Sequence, residues 1–159
     1  MNSTNYTIIL DDKTSYSVPI NILKGSGLLK TMIDVCDQSN EVTIPKIKTE
    51  YFTKIIEYLT YHYDADNENT LLTNSEITDW DNNYCNHDID FLIEFVECVN
   101  FFAIDSLLKL VCSTIQSQIA CCKSIDELRT KLHIINDFTQ EEEDKIKKEI
   151  GFIIDYGRY

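Results

Sequence analysis

The chain has 159 residues, 43% of them hydrophobic, so it is long enough for one domain with a real core, or for one domain and an appendage. Its 14 basic and 27 acidic residues give a formal charge of −13, which argues against binding to nucleic acid or to an anionic membrane. Six cysteines are present without a CxxC pair, and no signal peptide is visible. We therefore expect a reducing compartment: the cytoplasm, the nucleus or both.

The first part of the chain predicts a small sheet and two short helical segments. Tyr6–Leu10 and Ser15–Val18 are β-rich runs separated by a turn, and Glu41–Ile44 is a third brief strand. Ile20–Lys24 fits one helical turn, and Gly27–Val35 carries an apolar stripe at helical spacing. These patterns indicate a mixed α/β front half.

The next segment predicts a long helix followed by an acidic loop. Thr49–Tyr63 has an apolar face, while Lys54 and Glu57 can face water. Residues 64–79 are polar and show no apolar period, so we expect an exposed, mobile linker there.

Phe91–Phe102 predicts the helix around which the chain is organised. It is apolar on nearly every side, and only Glu94, Glu97 and Asn100 form a narrow polar line. Neighbouring segments must therefore cover most of it, and Asp88 can cap its start. The segment is too short to cross a bilayer, which requires roughly 20 apolar residues.

The remainder of the chain predicts three further helices. Asp105 or Ser106 can cap the first, which ends near Cys121, and capping boxes at Ser124–Glu127 and Thr139–Glu142 begin the other two. The last two helices are short, yet each has an apolar stripe. Because an isolated helix of about ten residues is marginal in water, each stripe must lie against the central helices or a partner.

Residues suited to catalysis or metal binding are few and poorly spaced. Cys85 with His87, or Cys121–Cys122 with His133, could supply zinc ligands, but the repeated short spacings of zinc motifs are missing. No nucleophile elbow or phosphate loop accompanies them. The sequence therefore predicts neither an enzyme nor a bound cofactor.

Several segments together resemble one known family. Asn136–Glu143, written NDFTQEEE, closely resembles the C-terminal signature of the S-phase-kinase-associated adaptors, the linker subunits of SCF ubiquitin ligases. Ser124–Arg129, Trp80–Asp81 and Glu94–Leu108 are similar to other segments of the same family. The resemblance covers essentially the whole chain, which is identified as a diverged member.

The resemblance implies an α+β, mostly α fold. A BTB/POZ-like domain with a small N-terminal sheet would occupy residues 1–121, and appended C-terminal helices would occupy residues 122–159. It also implies a non-catalytic adaptor that bridges a cullin scaffold to F-box substrate receptors. On the cullin side it implies contacts by Asn100, Phe101 and Ala103.

The resemblance further implies an F-box-binding surface built from the apolar stripes and the signature segment. Its residues are Val111, Ile115, Ile119, Leu128, Leu132, Ile134, Asn136, Asp137, Phe138, Ile146, Glu149, Ile150 and Phe152. When no F-box protein is bound, we expect this apolar surface to pair two copies of the chain.

Two departures from the family pattern keep alternatives open. Ala103 stands where the family has Asp, and Asp105–Ser106 stand where it has Lys-Gly, which reverses the local charge. These changes favour a decoy that binds F-box proteins without a cullin. A structural POZ-type oligomerisation module is a further hypothesis, but such a protein would lack the capped helices after Cys121. Ile150 and Phe152 replace Asn and Trp, so we expect a different choice of partners.

Overall fold

The chain folds into two compact units, Met1–Cys121 and Cys122–Tyr159. The computed structural model describes residues 5–35, 40–66 and 74–156, with side chains described for 5–35, 40–63 and 75–149. The described residues are mostly helical and contain one three-stranded sheet near the N-terminus, which confirms the predicted α+β class.

The sheet belongs to the first unit and has the strand order β2-β1-β3. Its strands are β1 (Asn5–Leu10), β2 (Ser15–Pro19) and β3 (Glu41–Ile44). Strand β1 pairs antiparallel with β2 and parallel with β3. Tyr6, Ile8 and Leu10 are buried at alternate positions of β1, so one face of the sheet covers the core.

Helices make up most of the described chain. In the first unit they are α1 (Ile20–Leu23), α2 (Gly27–Val35), α3 (Thr49–Asp66), α4 (Asn74–Tyr84), α5 (Ile89–Phe101) and α6 (Asp105–Ala120), and in the second α7 (Ile125–Lys131) and α8 (Gln140–Tyr156). In the described ranges, no helix is both long and apolar enough to span a bilayer.

Helix α5 lies at the centre of the first unit, as its apolar pattern predicts. Leu92, Phe95 and Val99 are fully buried, and α5 packs against α3 and α6. The side chain of Asp88 accepts a hydrogen bond from the Phe91 amide at 2.8 Å, so the predicted cap is confirmed. With Asp88 as its cap, the helix begins at Ile89.

The predicted cap of the next helix is wrong. Helix α6 begins with Asp105 as its first helical residue, and its cap residue is Ile104, which makes no side-chain capping bond. Ile104 is buried, so apolar packing fixes the start of α6 where a polar cap was expected.

The predicted linker over residues 64–79 is also wrong at both ends. Helix α3 continues into it and α4 begins within it, while residues 67–73 lie outside the described part of the chain. The physical reason is an aromatic stack. The ring of Trp80 lies 3.9 Å from that of Tyr61 and 4.8 Å from that of Tyr84, measured between centroids, which fixes α4 on α3.

The second unit is held by its helix caps. Ser124 accepts from the Glu127 amide at 3.1 Å, which confirms the predicted cap of α7, but the Glu127 carboxylate accepts from the Lys123 amide instead of the Ser124 amide, so this capping box is only half formed. At Thr139 the box is complete, because the Thr139 amide donates to Glu142 at 2.9 Å and the Glu142 amide donates to the Thr139 hydroxyl at 3.4 Å. Among the side chains described between 122 and 149, none is buried. This unit therefore leaves its apolar stripes accessible.

Candidate protein-interaction surfaces

The end of α5 forms the first candidate surface. Asn100, Phe101 and Ala103 are all exposed there, with 48% of Phe101 accessible, and together they are called the α5 tip. The Ala103 amide donates to the Asn100 carbonyl at 3.0 Å, and Ala103 has a φ of 52°, in the left-handed region. The structure thus brings together the three residues that the resemblance assigns to the cullin.

Ser26 holds the α5 tip in place. Its hydroxyl is fully buried, donates to the Phe102 carbonyl at 2.6 Å and accepts from the Leu29 amide at 3.2 Å. The Gly27 amide donates to the Ala103 carbonyl at 3.1 Å. The carbonyl end of α5 therefore faces the amide start of α2, where the partial charges of the two helix ends are opposite.

Sequence reasoning missed this contact because it began the helical stripe at Gly27 and gave Ser26 no role. The available signal was a serine directly before the apolar stripe of α2, which is a typical helix cap. Gly27 also permits this close approach, because a Cβ atom there would lie 3.1 Å from the Cβ of Ala103, which is a tight contact.

A groove of about 550 Å³ opens beside the α5 tip. It lies between α5 and the connection from β3 to α3, and its lining residues are Pro45, Lys46, Ile47, Lys48, Tyr51, Glu94, Glu97, Cys98 and Phe101. Sequence reasoning identified only the α5 side of this groove. The other side comes from a short connection that no periodic pattern marks.

Charged groups are fixed at the rim of the groove. Glu94 forms an ion pair with Lys48 and accepts a hydrogen bond from the Tyr51 hydroxyl at 2.7 Å. The hydrogen bond from Lys48, and then that from Tyr51, hold the pKa of Glu94 below its ordinary value. Burial raises the pKa of the Cys98 thiol to about 12, so this wall carries a neutral thiol and suits binding better than nucleophilic chemistry.

The second candidate surface lies in the second unit and is apolar. Ile134 is 53% exposed and Phe138 48% exposed, while Leu128, Leu132 and Ile146 are half-buried. These five residues are called the C-terminal apolar surface. Phe138 and Ile146 meet at a cavity of about 120 Å³, so the structure brings together two residues that are far apart in the sequence.

The remaining residues assigned to the F-box side fall into three groups. Asn136, Asp137 and Glu149 are exposed polar residues of the second unit. Ile115 and Ile119 are half-buried on α6 of the first unit. The side chains of Ile150 and Phe152 lie outside the described side chains.

Val111 was assigned to the F-box-binding surface, and the structure corrects this assignment. It is fully buried and belongs to the hydrophobic core of the first unit, together with Leu107 one turn earlier. Its side chain is therefore part of the core and does not form a surface for a partner. The helical stripe placed Val111 correctly on the apolar face of α6 but could not show which part of that face the core covers.

A polar network supports the loop before α8. The carboxylate of Glu143 accepts from the Asn136 side chain at 2.7 Å and from the Arg129 guanidinium at 3.3 Å. The hydrogen bond from Asn136, and next that from Lys147, lower the pKa of Glu143. Glu143 was identified from the sequence only as the last residue of the NDFTQEEE signature, so its role as a connecting residue was missed.

The zinc candidates are not assembled into a site in the described part of the chain, where no group of three His, Cys, Asp or Glu side chains could hold a metal ion. Cys85 is buried, and the His87 ring stacks on Phe91 with centroids 4.3 Å apart. Both residues are thus explained by packing around the start of α5.

Known proteins match the chain over almost its whole length. The sequence profile described as the Skp1 family tetramerisation domain matches residues 6–64, and that of the Skp1 family dimerisation domain matches residues 105–151. The E3 ubiquitin ligase complex SCF subunit sconC of Talaromyces marneffei is 32% identical over 154 residues, which cover 92% of this chain and 95% of the relative. The chain belongs to the Skp1 family. The same-named subunit of Aspergillus clavatus is 31% identical over 153 residues, covering 92% of this chain and 96% of the relative.

Membership of the Skp1 family confirms the resemblance read from NDFTQEEE and the other matching segments. The POZ-type profile covers the sheet, α1, α2 and most of α3. The second profile begins at α6 and reaches into α8, so it includes parts of both units.

Proposed function

We propose that this Skp1-family chain is a non-catalytic adaptor of an SCF-type cullin–RING ubiquitin ligase, joining a cullin to F-box substrate receptors. The observation that carries the proposal is the C-terminal apolar surface, where Phe138 and Ile134 are about half exposed. A large exposed apolar patch marks an interaction site, because covering it with a partner removes apolar area from water. The relatives, which are named SCF subunits, support the identity of that partner.

On the F-box side, the C-terminal apolar surface supplies the contacts that exclude water, and polar residues form its rim. In addition to the five residues that define this surface, the proposed F-box contacts are Ile115, Ile119, Asn136, Asp137, Glu149, Ile150 and Phe152.

On the cullin side, the α5 tip supplies an exposed aromatic ring with a hydrogen-bonding amide beside it. Aromatic residues carry much of the binding energy of protein interfaces, so Phe101 is the anchor and Asn100 fixes the orientation of the partner. The groove next to Phe101 provides a concave, partly apolar surface that extends the contact.

A reconstitution with purified components tests the proposal. The full chain is mixed with a cullin N-terminal domain and an F-box domain, and complexes are separated by size-exclusion chromatography. One ternary complex is the expected result. Phe101→Ala should weaken capture of the cullin alone and Phe138→Ala that of the F-box domain alone, so each variant is the control for the other. Binding of neither partner by the unmodified chain would reject the adaptor function.

A decoy that binds F-box proteins without a cullin is a second candidate, favoured by the residues around the α5 tip. Ala103 and Asp105 are exposed, and Asp105 has the charge opposite to that in the family pattern. Capture of the F-box domain without the cullin would select the decoy. In that case Asp105→Lys combined with Ala103→Asp should restore cullin binding.

We also propose that the adaptor acts in the cytoplasm, the nucleus or both. Cys85, Cys98, Cys112 and Cys121 carry free thiols, as is usual in a reducing compartment. Imaging of the tagged full chain tests this location, and retention in a secretory compartment would contradict it.

A further inference from the structure

Glu143 connects three parts of the second unit. Its Oε1 atom accepts from the Asn136 side chain at 2.7 Å and from Arg129 of α7 at 3.3 Å. Its Oε2 atom accepts from Lys147 of α8 at 3.3 Å. Only 18% of the Glu143 side chain is exposed, whereas its neighbour Glu141 is an exposed residue.

Both longer-range partners of Glu143 also contact Phe138. The Oδ1 atom of Asn136 accepts from the Phe138 amide at 3.4 Å. The guanidinium of Arg129 lies 6.0 Å from the centre of the Phe138 ring, within the range of a cation–π contact. Glu143 is thus connected to the Phe138 amide through Asn136 and to the Phe138 ring through Arg129.

Few other interactions hold Arg129 and Asn136 where they are. Arg129 also pairs with Asp126 at 3.3 Å, but 88% of the Asp126 side chain is exposed, so water screens that pair. The residues between α7 and α8 have no regular structure, and His133 adopts a φ of 54° in this connection. The capping box between Thr139 and Glu142 fixes the residue after Phe138, whereas the network centred on Glu143 reaches the Phe138 amide and ring themselves.

We propose that Glu143 is a positioning residue that preorganises Phe138 for an F-box partner. The inference rests on the proposed function, because that function assigns Phe138 to the F-box contact. A binding side chain that is already fixed loses less conformational entropy on association than a mobile one. Glu143 raises affinity in this way without touching the partner.

The first test uses the free full chain and needs no partner. Backbone order parameters from NMR relaxation are measured for Glu143→Ala and for the matched control Glu141→Ala. In Glu143→Ala, the order parameter of Phe138 should fall from about 0.85 to below about 0.6, and in the control it should not change. An unchanged value in Glu143→Ala would overturn the inference.

The second test is a double-mutant cycle read as F-box affinity. Glu143→Ala should weaken binding of a purified F-box domain by about tenfold in the natural sequence and by less than about twofold when combined with Phe138→Ala. A residue with a purely structural role would give the same loss in both backgrounds, and that result would overturn the inference. Glu141→Ala again serves as the control.

If circular dichroism shows that Glu143→Ala has lost helicity, Asn136→Ala takes its place in the double-mutant cycle. This variant cuts the link to the Phe138 amide while the contacts of Glu143 to Arg129 and Lys147 stay in place. Asn136→Ala should likewise weaken F-box binding more in the natural sequence than when it is combined with Phe138→Ala. An equal loss of affinity in both backgrounds would contradict the inference. If the unmodified chain binds no F-box domain, the proposed function fails, whereas the order parameters still decide the role of Glu143.

Discussion

Phe138 exposes 48% of its side chain, although its amide and its ring both contact neighbouring groups. An exposed aromatic side chain contributes little to the stability of the free protein but can contribute much to a complex. Binding and folding should therefore respond differently when this ring is removed.

We expect Phe138→Ala to weaken F-box binding by about 2 kcal/mol or more, as truncation of interface anchors does. The free energy of unfolding of the free chain should change by less than about 1 kcal/mol. Isothermal calorimetry and urea denaturation measure the two effects. Ile135→Ala is the control, because Ile135 is 84% exposed and was not assigned to the F-box surface. Unchanged F-box affinity of Phe138→Ala would refute the assignment.

Ala103 has the backbone conformation that glycine adopts most easily. Its φ of 52° is unfavourable for a residue with a Cβ by about 1–2 kcal/mol. We expect Ala103→Gly to stabilise the chain by roughly 0.5–1 kcal/mol. This net gain is smaller than the relieved strain, because glycine also gives the unfolded chain more conformational entropy.

Ala120→Gly, at the last residue of α6, is the matched control for that change. It should destabilise the chain by about 0.5–1 kcal/mol, since glycine is disfavoured in a helix. Urea denaturation compares the two variants. A loss of stability in both would show that Ala103 is not strained.

At the scale of single residues, the sequence predicted the Asp88 cap and the exposed polar line of Glu94, Glu97 and Asn100, because a local pattern determines each of them. It could not show that Val111 is buried. That property depends on which neighbouring elements cover α6, and a helical stripe contains no such information.

Ser26 joins two helices, so its effect belongs to the scale of elements. Ser26→Ala would remove the cap of α2 and the hydroxyl that donates to the buried Phe102 carbonyl at 2.6 Å, leaving that carbonyl with the Leu28 amide at 3.3 Å. We expect a loss of about 2 kcal/mol in the free energy of unfolding, from the cap and the lost buried hydrogen bond together.

Urea denaturation measures this loss, with Ser113→Ala as the control. Ser113 is exposed in α6, where alanine is a good helix former, so its replacement should change stability by less than about 0.5 kcal/mol. Equal stability of the two variants would mean that Ser26 does not hold the helix ends together.

The first turn of α8 should make the second unit sensitive to acid. Hydrogen bonds hold the pKa values of Glu142 and Glu143 below the ordinary value of 4.5. Because these pKa values are depressed in the folded state, their stabilisation is complete above pH 4.5 and is lost as the pH falls through the folded-state values.

Thermal unfolding followed by circular dichroism between pH 7 and pH 3 tests this expectation. Glu143→Gln should lower stability at neutral pH and reduce the further loss in acid, because one titrating group has been removed. Glu141→Gln makes the same change of charge at an exposed position and should leave the pH dependence nearly as it was. Identical profiles for all three proteins would contradict the expectation.

At the scale of elements, the strands and α2 were predicted within one residue, since each has its own clear period. Helix α4 was missed within the predicted linker. Its segment has a weak apolar pattern, and its position depends on Trp80 stacking between Tyr61 and Tyr84. Such a stack is a contact between elements, which a single-helix pattern does not record.

The whole molecule in its free state leaves the C-terminal apolar surface uncovered, so we expect two copies to pair through it. The charge of −13 on each copy opposes association, so added salt should strengthen the dimer by screening the repulsion.

Sedimentation equilibrium should show a monomer–dimer equilibrium that shifts towards the dimer with salt. An F-box domain should convert it to a 1:1 heterodimer, because both partners need the same surface. Phe138→Ala should weaken the dimer, whereas Phe101→Ala, in the other unit, should not. A chain that stays monomeric at every concentration and salt level would rule out pairing.

For the whole molecule, the sequence by itself determined the α+β class, the central helix, the caps of the last two helices and the family. These properties follow from local periods, from caps and from a signature of consecutive residues such as NDFTQEEE, none of which requires knowledge of distant contacts. The tertiary structure alone decided the rest. The link from Ser26 to the α5 tip, the second wall of the groove and the network from Glu143 to Phe138 all join residues that are separated in the chain. Side-chain packing and hydrogen bonding in three dimensions determine such contacts, and periodicity along one element does not.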